Sequence, residues 1–375
     1  MELSNNRFTT LDVFRGMTIC FMIIVNSPGS GAIQWAPLDH AAWFGFTPTD
    51  LVFPSFLFAV GNALSFSKKK FESNPAFLGK IFKRTVIIFL LGYLLSSFPF
   101  VHRDVGLWVF NQLSHSRILG VLQRIALCYF FGSLLVHYCS KKTTVIISIL
   151  LLAVYWAALL FFSQPGGEYT MLGNAGNLLD VFILGKDHLY NQHGHAPSFD
   201  PEGILSTLPS IVNVIGGYLA GIYIQRKGRN YESVAHLLIY GALLIGIALF
   251  WGQFFPIAKK LWTSPFSLLT IGLDLVILGI LVYAVELKNI KWGNNFLLVF
   301  GRNSLAIYLL SELLLIGMEL IWVKPQVSLY NWVNTVFFQR FFPGAFGTLV
   351  FAICFMLLCW LIGYAMDKRK IYIKI

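Results

Sequence analysis

Apolar residues along this chain come in blocks of about twenty, the length that crosses a hydrocarbon core of ~30 Å as an α-helix. Windows of about nineteen residues place the blocks near Leu11–Ser27, Leu51–Ser67, Thr85–Val101, Ile118–Tyr138, Thr144–Phe162, Ile204–Gln225, Val234–Gln253, Phe266–Val285, Phe296–Leu320 and Gly347–Met366. The pattern predicts an all-α polytopic membrane protein, a single domain over 1–375 built as a bundle of about ten or eleven transmembrane helices. A loop at about 163–203 interrupts it and carries Glu168, Asp180, Asp187, His188, His193, His195, Asp200 and Glu202. A loop of that length is rare unless it is functional or disordered. Its Tyr169, Phe182, Leu189 and Phe199 argue for ordered packing, so it is expected to be a lid or substrate loop. The first block holds Asp12 and Arg15 and no small-x-small cleavage site, and is expected to remain as a span.

Composition agrees: 57% of the 375 residues are hydrophobic and 12% charged, against about 25% charged in a soluble domain. The formal charge of +11 would otherwise suggest nucleic acid. Here Lys and Arg cluster after alternate blocks, at Lys68–Lys70 with Lys80, Lys83 and Arg84, at Lys141 and Lys142, at Arg226, Lys227 and Arg229, at Lys288 and Lys291, and at Lys368–Lys370 with Lys374. Such a bias orients helices in a bilayer. It excludes nucleic acid as the main partner and places both termini in the cytoplasm, with the 28–50 and 163–203 loops outside. Cys20, Cys128, Cys139, Cys354 and Cys359 lie in or beside apolar blocks without metal or disulfide spacing, and read as packing residues.

Charges inside spans need a partner or a wet cavity. Asp12 and Arg15 share a helix face and can pair with each other. Arg124 has no acid within a turn, so its anion comes from another helix or from a ligand. Arg302 lies in Gly301-Arg302-Asn303-Ser304, a small residue beside hydrogen-bond donors, suited to helix packing or to ligand contact. His40 stands between two spans, close to Trp35, Trp43 and Phe44. Partial desolvation there would favour a neutral, proton-accepting ring, although a lone histidine is more often structural. Asp50 either orients that ring or caps the second span. Asp200-Pro201-Glu202-Gly203 either starts the sixth span or binds a cationic or polyhydroxyl group. His188, His193 and His195 lack firm acid spacing, and no metal is expected.

Taken in order, Leu11-Asp12-Val13-Phe14-Arg15-Gly16, Asn26, His40-Ala41-Ala42-Trp43, Asp50-Leu51-Val52-Phe53-Pro54, Gly120-Val121-Leu122-Gln123-Arg124, Asp200-Pro201-Glu202-Gly203 and Gly301-Arg302-Asn303-Ser304 give the chain a likeness. It resembles the heparan-α-glucosaminide N-acetyltransferase-like transmembrane acetyltransferases, and among them the bacterial relatives. The resemblance implies transfer of an acetyl group from cytoplasmic acetyl-CoA, a co-substrate, to an amino sugar or glycan on the other side. It implies a catalytic role for His40, with Ala42 where the family's segment has proline. Around it, Asn26 would hydrogen-bond the thioester oxygen or the acceptor and Asp50 would fix the imidazole tautomer. Arg15, Arg302, Asn303, Ser304 and the Lys68–Lys70 cluster would serve the donor, Arg124 the reaction centre and donor, and Trp43, Asp200 and Glu202 the acceptor. Membrane lipids are expected partners, a homodimer is allowed, and the expected setting is a bacterial inner membrane. The rival readings are a sugar or anion transporter, which would commonly show internal repeats that this chain lacks, and an O-acyltransferase of an envelope polysaccharide.

Overall fold

The structure is a computed structural model that describes residues 8–29, 34–67, 74–104, 107–110, 116–190 and 198–373. Each apolar window falls on a helix. The helices are α1 (Thr9–Asn26), α2 (Pro48–Ser67), α3 (Asn74–Ser97), α4 (Val121–Tyr138), α5 (Lys141–Phe162), α6 (Ala175–Leu184), α7 (Thr207–Lys227), α8 (Tyr231–Trp251), α9 (Ser264–Leu281), α10 (Asn294–Arg302), α11 (Ser304–Leu320), the short α12 (Leu329–Val333) and α13 (Gln339–Phe341), and α14 (Ala345–Lys368). Two antiparallel hairpins, β1 (Val101–Asp104) with β2 (Leu107–Phe110) and β3 (Trp322–Lys324) with β4 (Val327–Ser328), are the sheet found among the described residues.

Eight of the described helices, α1, α2, α4, α5, α7, α8, α9 and α14, are long and apolar enough to cross a bilayer, and the bent pair α10–α11 is so only when its two helices are taken together. The remaining window lies on α3, which is 24 residues long and carries Lys80, Lys83 and Arg84 in its first half. Window nine departs from the expectation of one continuous helix. The chain bends by 84° at Asn303, whose φ of −124° and ψ of 35° leave the helical region. Within the loop at 163–203, expected to pack in order, α6 folds at 10 residues, too short to span. Tyr169 stacks on Phe255 at 5.3 Å and Leu189 and Phe199 are buried, whereas Phe182 is 87% exposed and takes no part in that packing.

Lipid tails are as apolar as leucine, so helices inside a membrane gain little from excluding water and pack through close backbone approach. Two glycine pairs supply that approach. A Cβ on Gly61 of α2 would come within 1.9 Å of Val214 O, and one on Gly217 of α7 within 1.9 Å of Phe58 O. Likewise a Cβ on Gly16 of α1 would come within 1.9 Å of Leu297 O, and one on Gly301 of α10 within 2.0 Å of Asp12 O. The segment Gly301–Ser304 thus uses its small residue for packing. α2, held against α7 and flanked by α1, α4 and α9, forms the axis on which the site is built.

Candidate functional site

At one end of the bundle the C-terminus of α1 meets the N-terminal ends of α2, α4, α7 and α9 around a cavity of about 740 Å³. Its walls include Asn26, Asp39, His40, Thr49, Phe53, Arg117, Val121, Glu202, Lys259, Lys260, Trp262 and Tyr308. Helix N-termini carry partial positive charge, so their convergence favours negative charge in the space between them.

His40 reaches this cavity from the loop before α2, and the local sequence explains how it is held. In Thr47-Pro48-Thr49-Asp50, proline suits the first helical turn and an acid three residues after threonine reaches back to the threonine backbone. Asp50 Oδ2 accepts from Thr47 N at 3.0 Å, Thr47 Oγ1 at 3.2 Å and Ala41 N at 3.2 Å. Its Oδ1 lies 2.8 Å from His40 Nδ1. Asp50 is thus the ring partner but not the N-cap: α2 begins at Pro48, Thr47 stands at the cap, and the fully buried Asp50 carboxylate reaches back to it from the first turn. With Nδ1–H donating to Asp50, the His40 Nε2 lone pair remains available on a side chain 43% exposed.

Further contacts fix the loop. Gly45 N donates to Ile257 O at 2.8 Å, Lys260 Nζ to Ala42 O at 2.8 Å and Trp43 Nε1 to Tyr169 O at 2.7 Å. Lys259 Nζ lies 3.0 Å from His40 Nδ1, 3.1 Å from Nε2 and 3.8 Å from Asp50 Oδ1. Burial pulls the Lys259 pKa below the ordinary lysine value, against the opposing charges of Asp50 and Glu202. Arg117 forms a fork on Asp200, with Nε to Oδ2 at 2.8 Å and Nη2 to Oδ1 at 2.6 Å. It also pairs with Glu202 and lies over the Tyr190 ring. Although burial opposes its charge, these two acids hold the Arg117 pKa above its ordinary value.

The residues singled out from sequence divide into three groups. His40, Asn26 and Glu202 line the cavity, with Asp50 directly behind His40; Asn26 Nδ2 also donates to Glu312 Oε1 at 3.4 Å. Trp43, Asp200 and Arg124 stand outside its lining. Trp43 packs edge-on against Phe199 at 5.3 Å, and Asp200 is spent on Arg117. Arg124, 1% exposed, donates to Gly203 O at 2.9 Å and to Ser206 Oγ, so its acceptors come from the approach to α7. The third group lies toward the opposite end. Arg302 pairs with Asp367 at 2.9 Å, and Asn303 bonds Ile371 O at 2.8 Å and Ile373 N at 3.1 Å. Arg15 pairs with Asp12 at 3.5 Å and donates to Gly301 O at 3.3 Å. Arg15 and Ser304 line a second cavity of about 160 Å³, together with Arg84 and Tyr129. The two cavities follow the same helices. Phe53, Val121 and Tyr308 line the first, and Phe56, Ile125 and Leu305, about one turn further along, line the second.

Residues 7–230 match the sequence family described as heparan-alpha-glucosaminide N-acetyltransferase, catalytic. The chain belongs to this family. It is 28% identical over 355 residues to the human protein named heparan-alpha-glucosaminide N-acetyltransferase, covering 80% of this chain and 52% of that relative. It is 28% identical over 365 residues to the mouse protein of the same name, covering 83% and 54%. The chain thus spans about half the length of the curated relatives it matches. The family-matched stretch supplies His40, Asp50, Arg117 and Glu202, while Lys259, Lys260, Trp262 and Tyr308 complete the cavity from beyond it.

Sequence reasoning passed over Lys259, Lys260 and Arg117. The available signal was the lysine pair itself, two adjacent cations in a loop on the side that otherwise gathers acids. Lys68–Lys70, His193 and His195 lie outside the described residues. Among those described, no group of three or more His, Cys, Asp and Glu could hold a metal ion.

Proposed function

We propose that this chain is a membrane-embedded acetyltransferase that moves an acetyl group from acetyl-CoA to the amine of an amino sugar, with the acceptor entering the His40 cavity. The observation that carries the reading is the His40–Asp50 pair at 2.8 Å on the wall of a cavity of about 740 Å³. A thioester is already activated, so the protein's tasks are to position the amine, accept its proton and stabilise the oxyanion. Asp50 holds the imidazole so that Nε2 can take the amine proton or carry the acetyl group. Either path uses the same neutral tautomer.

In this reading the donor enters from the opposite end. Arg15 and Arg84 at the second cavity are suited to the phosphates of CoA, and the pantetheine arm follows α2, α4 and α11 toward His40. The Lys and Arg bias supports a cytoplasmic side for that end and for both termini. The bacterial inner membrane expected from sequence remains part of this proposal.

The test is purified protein in detergent supplied with acetyl-CoA and glucosamine. The expected result is free CoA thiol released in step with N-acetylglucosamine, and lost in His40→Ala. Uptake of sugar into vesicles without acetylation would instead identify a transporter, and acetylation confined to hydroxyls an O-acyltransferase.

A further inference from the structure

Among the described residues, three cations line the His40 cavity: Arg117, Lys259 and Lys260. Arg117 is held by Asp200 and Glu202, and Lys260 donates to Ala42 O. Lys259 is the one that meets the ring. It comes from a loop 219 residues away in sequence, and its side chain is 19% exposed. Its Nζ is almost equidistant from the two ring nitrogens, at 3.0 and 3.1 Å, which an atom in the ring plane could be only by overlapping Cε1, so it lies over the face of the ring. Nδ1–H is directed at Asp50, and the in-plane Nε2 lone pair is left for the acceptor's proton.

We propose that Lys259 is a catalytic residue of acetyl transfer, its ammonium moving from the face of the His40 ring onto the thioester oxygen as negative charge builds there. This inference rests on the acetyltransferase reading above. An amine that gives its proton to Nε2 stands about 3 Å from that nitrogen. The carbonyl it attacks is then beside it, within a short swing of an ammonium that starts 3.1 Å from the same atom. As the N–C bond forms, the carbonyl π pair moves to oxygen and the amine proton passes to Nε2. Collapse of the adduct restores the carbonyl and breaks the C–S bond, and the departing thiolate takes the proton from the imidazolium. The products are the amide and CoA thiol, and Lys259 ends as it began. A ground-state thioester oxygen carries little charge, so the contact gains strength in the transition state and acts on kcat rather than on donor KM.

The groups facing Lys259 are Asp50 from α2, His40 from the loop before it, Glu202 from the approach to α7, and Lys260 beside it. Burial makes the ammonium easier to discharge than that of a free lysine. Raising pH removes the charge that steadies the oxyanion, so the native rate should fall on the alkaline side, after any rise due to the acceptor amine.

The experiment measures kcat and both KM values against pH for the native protein, Lys259→Met and Lys259→Arg. Methionine should lower kcat about 100-fold with donor KM nearly unchanged, as loss of one oxyanion donor does. Arginine, which keeps its charge at every pH used, should restore part of the rate and move the alkaline limb upward. A methionine variant within about threefold of native kcat, or an alkaline limb shared by the native and arginine proteins, overturns the assignment. A native protein that transfers no acetyl overturns the functional reading itself, a separate result.

Discussion

Replacing Asp50 with asparagine keeps the shape of the side chain and changes what His40 can do. Oδ2 takes three donors, from Thr47 N, Thr47 Oγ1 and Ala41 N, and Oδ1 faces His40 Nδ1. An amide must turn its oxygen toward the three donors, which leaves its NH2 against the ring. The ring answers by accepting at Nδ1 and carrying its proton on Nε2, where it can no longer take a proton from the acceptor. Reaching the reactive tautomer then means giving up one hydrogen bond and setting N–H against N–H. The first costs about 0.5–1.5 kcal/mol and an unsatisfied buried donor about 1–3 kcal/mol, roughly 1.5–4.5 kcal/mol together. At ~1.36 kcal/mol per decade this lowers kcat about 10- to 2,000-fold. The asparagine oxygen keeps the bonds from Thr47 and Ala41 at the start of α2, so the melting temperature in detergent should hardly move. Asp50→Ala should lose both, with about 0.5–1.5 kcal/mol of stability gone for each of those bonds. The assay is the initial rate of glucosamine acetylation beside a thermal melt. A well-folded Asp50→Asn protein that turns over within about threefold of native would refute the tautomer argument.

Gly217→Ala should destabilise the bundle by about 1–3 kcal/mol, because its Cβ would meet Phe58 O at 1.9 Å, whereas Gly246→Ala, with nothing within 4 Å, should be neutral; equal melts for the two would discount close glycine packing. The Asp180 pKa is pushed up by burial from 3.8 to about 6, so between those values the folded protein binds more protons than the unfolded chain. Stability should therefore fall as pH rises through that window, by up to roughly 3 kcal/mol; Asp180→Asn should flatten the slope, and an unchanged slope in unfolding measurements would remove Asp180 as its source. Arg84→Gln should raise the acetyl-CoA KM about 10-fold or more, as loss of a charge-assisted contact does, without changing the acceptor KM; unchanged donor saturation would move the phosphate site elsewhere.

The parts of the fold legible in sequence were those set by local composition. Twenty-residue apolar blocks can do little except form helices in lipid, and the ten windows landed on helices for that reason. The break at Asn303 was hidden because the short polar stretch Arg302–Ser304 lies between two long apolar runs. His40 and Asp50 could be paired from sequence because ten residues separate them and one helix start joins them. Lys259 could not, since its approach to His40 depends on how α2, α7 and α9 pack. Arg124 was read as needing an anion from another helix or a ligand, whereas its acceptors are neutral, a backbone carbonyl and a serine at the α7 entry, which was not written in its neighbours. Trp43 and Asp200 look like ligand residues in a list of polar and aromatic positions. In three dimensions they are the fastenings of the loops.

The strap between the His40 loop and the loop preceding α9, made by Gly45 N to Ile257 O and Lys260 Nζ to Ala42 O, has a consequence for biogenesis. A membrane chain is threaded into the bilayer from its N-terminus, so α1 and α2 are in place long before Ile257, Lys259 and Lys260 leave the ribosome. Until then the His40 loop lacks its clasp and the ring lacks its ammonium neighbour. A nascent chain halted after α7 would contain the whole family-matched stretch of 7–230 and still present an unfinished reaction chamber. The clasp on His40 is thus timed by the insertion of α9, and the last wall of the chamber arrives later still, with Tyr308 on α11.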